Sequence, residues 1–254
     1  CSGGIPSAIT NCLNFGNPEK DKIMGQFVEV VDGISQACEY LDFPVVSGNV
    51  SFYNETKSRA IAPTPTIGGV GLISNVNNMV TLNFKDVENY IFVIGKTSGH
   101  LYQSEFFKLV VGDNSGPPPD INLFNEKSNG LTLKELINKK LVKSVHDISS
   151  GGIIISLVEM CIAGNIGAKI KIPHDKINQQ EYLFGEDQSR YLAEVDDKNK
   201  EKVSKLLEKN NTYYEIIGKT QKESFELDKE FSIKLSSLSK FNSFWFNNFF
   251  QDNK

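Results

Sequence analysis

Four phrases of the chain place polar side chains and glycines where small-molecule chemistry is done. The first is Val45-Val46-Ser47-Gly48-Asn49-Val50-Ser51, where an apolar strand ends in Ser-Gly-Asn-x-Ser. Gly48 lets a ligand approach the backbone. Asn49 offers a neutral carbonyl oxygen to a hard cation whose charge phosphates balance, and Ser51 offers a hydroxyl. The same spacing also fits a polar turn whose Asn and Ser side chains bond their own backbone. The second phrase is Thr10-Asn11-Cys12-Leu13-Asn14-Phe15-Gly16-Asn17-Pro18, a strand running into a turn with side-chain amides for a nucleotide or for the turn itself. In the third, His146-Asp147-Ile148-Ser149-Ser150-Gly151-Gly152, His146 and Asp147 form a potential acid–base pair ahead of a helix. The alternative there is an N-cap by Asp147 or Ser149. The fourth, Gly185-Glu186-Asp187-Gln188-Ser189-Arg190, sets two carboxylates side by side, suited to Mg²⁺ or to an ordinary charged turn.

Two G-K-T triplets, Gly95-Lys96-Thr97 and Gly218-Lys219-Thr220, lack the glycine a phosphate-binding loop requires: Tyr90 and Tyr213 stand in its place. Both read as strand-exit turns.

Elements that position these phrases follow from periodicity. Apolar residues from Ile23 to Leu41 recur at spacings of three and four, which predicts a helix over 21–41. Strands are expected at 7–13, 43–46, 66–73, 90–94, 190–195 and 213–217, and further helices at 101–111, 133–140, 153–163 and 200–210. Alternating strands and helices define an α/β or α+β class. A polar stretch near residues 75–78 marks a boundary, giving expected domains at 1–78 and 79–254.

The 254 residues carry 27 Lys and Arg against 31 Asp and Glu, a net charge of −4, with 39% hydrophobic residues. That composition supports a sizeable core and excludes nonspecific nucleic-acid binding, which needs excess cation. Cys1, Cys12, Cys38 and Cys161 have no zinc-ligand spacing, and a reduced, cytoplasmic protein without a membrane span is the expectation.

In order along the chain, "TNCLNFGNPEK", "PVVSGNVSFYNET", "APTPTIGGVGLI", "GPPPDINL", "VHDISSGGI" and "LFGEDQSRYL" together resemble the large subunit of the phosphoribosylformylglycinamidine synthase family. The resemblance runs from about Gly4 to Ile217. It implies a two-domain aminoimidazole ribonucleotide synthetase-like fold, here a partial A-type domain followed by a complete B-type domain, from a subunit whose domain order is A1, B1, A2, B2. The implied reaction is that of a carbon–nitrogen ligase of purine biosynthesis. ATP phosphorylates the amide oxygen of formylglycinamide ribonucleotide, and ammonia from glutamine displaces phosphate. Residue by residue, the resemblance assigns ATP contacts to Asn11 and Gly48, an Mg²⁺ contact to Asn49 and a substrate contact to Ser51. It assigns no catalytic residue, since those belong to the first half of the subunit. The implied partners are that N-terminal half, a glutaminase subunit and a small third subunit, with self-association into a homodimer a further expectation. A non-catalytic nucleotide-binding or interaction module of the same family is the alternative.

The resemblance also implies a second nucleotide site near His146, Asp147 and Glu186. The chain departs from the family at Asn11, where Asp is often found, and at Leu101-Tyr102-Gln103-Ser104-Glu105, usually Leu-Gly-Gly-Ser-Glu; bulk at Tyr102 and Gln103 predicts a crowded second site. The opening phrase implies that a strand and a helix of the first domain precede it in the family.

Overall fold

The computed structural model describes residues 1–57, 59–173, 177–228 and 230–251. The chain divides into two compact units, residues 4–76 and residues 77–254 with residues 1–3. The family class expected from the sequence, mixed helix and strand, is the class observed.

The smaller unit opens with β1 (Ile5–Asn14), α1 (Asp21–Leu41) and β2 (Val45–Ser51), continues through a small hairpin of β3 (Glu55–Thr56) and β4 (Arg59–Ala60), and closes with β5 (Thr64–Leu72). Its sheet has the order β2-β1-β5, with β2 parallel and β5 antiparallel to β1. The parallel pair needs a crossover connection, which α1 supplies. Ile23, Phe27, Val30 and Ile34 of that helix pack on Leu13, Phe15 and Phe52. The rings of Phe15 and Phe27 meet edge to face at 5.4 Å, and those of Phe27 and Phe52 at 5.2 Å. The helix stops where Asp42 turns into the left-handed region at φ 55°, its N–H bonded to the Cys38 carbonyl. Glu55 accepts from Asn17 N at 3.2 Å and Lys20 Nζ at 2.7 Å, fastening the turn that starts α1.

One expectation changes here. The Ser47–Ser51 phrase is not a turn after a buried strand; it lies inside β2, hydrogen-bonded to β1 through Ser51. Val46 is exposed, because β2 is an edge strand.

The larger unit contains β6 (Tyr90–Ile94), a π-helical turn (Phe107–Val111), α2 (Leu123–Asn138), β7 (Ser144–Asp147), α3 (Gly152–Gly164), β8 (Gly167–Ile170), α4 (Gln179–Phe184), β9 (Tyr191–Val195), α5 (Lys200–Lys209), β10 (Tyr214–Gln221), β11 (Ser224–Leu227), β12 (Phe231–Lys234) and α6 (Leu235–Gln251). Its seven-stranded sheet has the order β12-β11-β8-β10-β6-β9-β7 and is antiparallel except at β11/β8. Side chains alternate along β6, so Ile91 and Val93 join the cluster under α3 and α4, while Phe92 and Ile94 join the cluster under α2 and α5. Helices thus cover both faces, which is why β6 is apolar without alternation.

On β9, next to the edge strand β7, Glu194 is fully buried. Its carboxylate accepts from Lys85 N at 2.9 Å, Asp86 N at 3.0 Å, Asn89 Nδ2 at 2.7 Å and Ser144 Oγ at 2.8 Å. Four donors replace the water the charge has lost.

Three expectations are corrected in this unit. The segment 101–111 is not one helix: Gln103 sits at φ 58°, and Ser104 bonds both Leu101 O and Phe107 N, so the chain turns before it coils. The helix expected at 133–140 begins ten residues earlier, because the Asn122 side chain caps it by accepting from Asn125 N. Gly218-Lys219-Thr220 is no strand exit but part of β10. A Cβ on Gly218 would lie 2.0 Å from Lys169 O, so only glycine permits this approach of β8.

No helix among the described residues is long and apolar enough to cross a membrane, and the four cysteines are free.

Candidate functional site

The residues singled out from the sequence lie in two places. In the smaller unit, β1 and β2 pair in the register Thr10 to Ser47, Asn11 to Gly48, Cys12 to Asn49 and Asn14 to Ser51. Successive residues of a strand point to opposite faces. Asn49 and Ser51 therefore share one face with Thr10, Cys12, Asn14 and Ser47. Asn11 and Gly48 share the other, with buried Leu13. The structure brings the four predicted residues together as two pairs on opposite faces of one strand pair.

The face carrying Asn49 and Ser51 is built almost wholly of small polar groups. Ser47 Oγ donates to Thr10 Oγ1 at 2.9 Å, and Asn14 Nδ2 to Cys12 Sγ at 3.3 Å. Strand β5 adds Thr66 opposite Cys12 and Thr64 opposite Asn14. At its end Asn54 Nδ2 donates to Ser51 O and Phe15 O, both at 3.0 Å, and to Ser51 Oγ at 3.1 Å, fixing the Ser51 hydroxyl. This face presents neutral donors and acceptors without a carboxylate. It suits a ligand that brings its own charge, and the Asn49 amide oxygen fits a phosphate-held Mg²⁺ as a single neutral ligand. Thr10, Ser47, Thr64 and Thr66 were not singled out from the sequence. The signal was there as alternation, in Thr-x-Cys-x-Asn and Thr-Pro-Thr.

Asn11 and Gly48 fit each other. A Cβ at position 48 would lie 2.0 Å from Asn11 Oδ1 and 2.7 Å from Asn11 O. The Asn11 amide thus occupies the space that a side chain on residue 48 would take.

The second place is a cavity of about 410 Å³ in the larger unit, lined among others by Tyr102, Gln103, Glu126, Asp147, Glu186 and Tyr191. His146 lies beside it, with Nε2 2.9 Å from Glu159 Oε2 and Nδ1 3.4 Å from Asp147 Oδ1. The bond to Asp147, aided by Glu159, raises the His146 pKa; the His146 bond leads in lowering Asp147 to about 2. Tyr191 is pushed up to about 12, first by burial and then by Glu126 and Asp147.

Glu186 and Asp187 do not form a metal-binding pair. Asp187 accepts from Ser98 N at 3.1 Å, Gly99 N at 2.9 Å and His100 N at 3.1 Å, and stands 3.6 Å from the buried guanidinium of Arg190. Glu186 Oε1 accepts from Glu105 N at 2.8 Å and Gly151 N at 2.7 Å. Both Asp187 oxygens and Glu186 Oε1 are bonded to loop backbone, and a carboxylate already sits at the start of α3. Among the described residues no cluster of three or more His, Cys, Asp or Glu side chains could hold a metal ion. Tyr102 packs on Phe107 at 5.3 Å and its ring lies against Gly116, and Gln103 Nε2 donates to Gly116 O, so both tie the 112–119 loop.

The larger unit is a seven-stranded sheet covered by helices on both faces, and the smaller is a three-stranded sheet with one polar face. Residues 1–73 match the AIR synthase related protein family, N-terminal domain, and residues 90–228 its C-terminal domain. The chain belongs to this family. More particularly, it is 50% identical over 250 residues, 98% of its length, to phosphoribosylformylglycinamidine synthase subunit PurL of Pelagibacter ubique. It covers 34% of that protein, and so spans about a third of the length of such relatives. Its fold is that of Thermotoga maritima PurL complexed with FGAR (TM-score 0.75, 17% identity, 94% of this chain and 40% of that one). The same protein complexed with ATP gives a TM-score of 0.70 at 15% identity, covering 94% of this chain and 38% of that one.

Proposed function

We infer that the chain is the C-terminal part of a phosphoribosylformylglycinamidine synthase large subunit, working in the ATP-dependent conversion of formylglycinamide ribonucleotide and ammonia to the amidine. The observation that carries this reading is the 50% identity to a synthase subunit over nearly the whole chain. The fold neighbours complexed with FGAR and with ATP support the ligand classes.

In this reading the polar face of the small sheet is the chain's share of a composite site. Asn49 supplies one neutral oxygen to Mg²⁺, and Ser51, held by Asn54, orients the substrate by hydrogen bonding. Gly48 and Asn11 shape the strand pair where ATP lies. When bound, Mg·ATP makes the amide oxygen a leaving group. Charge stabilisation and placement carry most of such a reaction. None of Asn11, Gly48, Asn49 and Ser51 transfers a proton near neutral pH, so the proton-transfer groups belong to the rest of the subunit. The proposed partners are therefore that remaining segment, a glutaminase that delivers ammonia, and a small third subunit, in the cytoplasm.

The test is an assay with ATP, formylglycinamide ribonucleotide and ammonia, run on this chain alone and after adding the separately produced remainder of the subunit. Turnover is expected only in the mixture. Equal turnover by the chain alone would show that the catalytic groups are misplaced here.

A further inference from the structure

Just past the end of β2 the backbone makes a turn that a tyrosine rarely makes. Tyr53 has φ 60°, in the left-handed region that bulky side chains avoid. The turn is held by Tyr53 N donating to Gly16 O at 3.0 Å and by Asn54 N donating to Phe15 O at 3.1 Å. It brings the half-buried Asn54 side chain back to the strand ends. There Asn54 Nδ2 lies 3.0 Å from Phe15 O, 3.0 Å from Ser51 O and 3.1 Å from Ser51 Oγ. Backbone carbonyls only accept hydrogen bonds, so the end of the amide that faces them is its NH₂ group. Two hydrogens serve three acceptors, one of them shared between two oxygens.

This arrangement sets the polarity of the Ser51 hydroxyl. A serine hydroxyl has one hydrogen and two lone pairs. Asn54 Nδ2 occupies a lone pair, and the hydrogen has Asn54 Oδ1 as an acceptor at 3.5 Å. That is far longer than the about 2.7–2.8 Å usual between two oxygens. A ligand oxygen arriving at the usual distance takes the hydrogen, whereas a ligand N–H finds one lone pair already used. We propose that Asn54 is a positioning residue that makes Ser51 a hydrogen-bond donor, so that Ser51 selects a substrate oxygen that carries no proton. This rests on the reading of Ser51 as a substrate contact.

Steady-state kinetics of the complete enzyme test the proposal, with formylglycinamide ribonucleotide and ATP varied in turn. Ser51→Ala and Asn54→Ala are each expected to raise KM for the ribonucleotide about three- to tenfold, the range for one lost hydrogen bond, with kcat and KM for ATP unchanged. Because Asn54 acts through Ser51, adding Asn54→Ala to Ser51→Ala should raise that KM less than about twofold further. Asn54→Asp introduces a carboxylate that accepts the Ser51 hydrogen. It should raise KM more than Asn54→Ala does, and by a larger factor with Ser51 present than in the Ser51→Ala background. Two results overturn the proposal and leave the synthase reading standing. Equal effects of Asn54→Ala in both backgrounds would make Asn54 only a fastener of the turn. A KM for Asn54→Asp at or below that of Asn54→Ala would make Ser51 an acceptor. Unchanged KM in Ser51→Ala also overturns it, and removes Ser51 from the substrate site of the synthase reading as well. Where the Asn54 variants fail to fold, NMR of this chain decides. Both Asn54 side-chain amide hydrogens are expected to exchange slowly with water and to shift in Ser51→Ala; fast exchange or the absence of a shift overturns the proposal.

Discussion

The amide oxygen of Asn11 lies where Gly48 would carry a side chain, 2.0 Å from the ideal Cβ position. Backbone at position 48 and side chain at position 11 are therefore one unit of structure. Gly48→Ala forces Asn11 to rotate away or the two strands to part. An overpacking cost of about 1–3 kcal/mol is expected, read by chemical denaturation, together with a loss of ATP use in the complete enzyme. Asn11→Ala in the same background should recover part of the stability, because it removes the colliding amide.

Asn49 and Ser51 stand on the opposite face, so their substitutions should leave the fold intact. In the complete enzyme, Asn49→Ala is expected to raise the Mg²⁺ and ATP concentrations needed for half-maximal turnover. Ser51→Ala should act on formylglycinamide ribonucleotide instead. Steady-state kinetics with each ligand varied in turn separates the two, and unchanged Mg²⁺ and ATP dependence for Asn49→Ala removes its assignment.

Asp187 is a clamp in the larger unit. Its carboxylate gathers three successive backbone N–H groups of residues 98–100 and faces the buried Arg190. Asp187→Ala leaves that guanidinium without its counter-ion, at a cost of about 3–5 kcal/mol. Calorimetric melting should show the loss, and hydrogen exchange should show residues 98–100 opening first.

The pair His146 and Asp147 ties stability to pH with opposite signs. The pKa of His146 is raised, so its contribution is complete below its ordinary value near 6.5 and is lost as pH climbs through the raised value. Asp147 is lowered to about 2, so its contribution is complete above about 4 and is lost as pH falls toward that value. Both contributions are full only between about pH 4 and 6.5. Asp147 leads the causes of the His146 shift. Histidine ring NMR titration should therefore show Asp147→Asn lowering the His146 pKa more than Glu159→Gln does.

With Glu186 bonded to Gly151 N at the start of α3, and Tyr102 and Gln103 fastening the neighbouring loop, the cavity beside Asp147 should take Mg·ADP weakly or not at all. Titration calorimetry on the chain checks this; binding at micromolar or tighter affinity contradicts it.

Periodicity made the strongest elements legible. The 3–4 spacing of Ile23 to Leu41 marked α1 at its observed bounds, and the apolar run Tyr90–Ile94 marked β6. Failures came where side chains overrule pattern. Asn125, Asn129, Gly130 and Thr132 interrupt the apolar rhythm of α2, yet the Asn122 cap and the packing of Leu133, Leu136 and Ile137 hold the helix. Small polar residues of β2 look like a turn when read singly; only the partner strand shows that they alternate. The adjacency of Glu186 and Asp187 suggested a metal, because sequence shows carboxylates but not the backbone N–H groups that already occupy them.

The four-donor seat of Glu194 has a consequence for synthesis on the ribosome. Lys85 precedes Glu194 by 109 residues, Asn89 by 105 and Ser144 by 50. At about 5–20 residues per second, roughly 5–20 s separate the emergence of the first donor from that of the acceptor they share. Throughout that interval the segment around Lys85–Asn89 has no carboxylate to organise it, and β6 lacks its neighbour β9. The larger unit can therefore consolidate only after most of it has left the exit tunnel, and a ribosome stalled before Glu194 is added would carry a nascent chain open to chaperones and proteases.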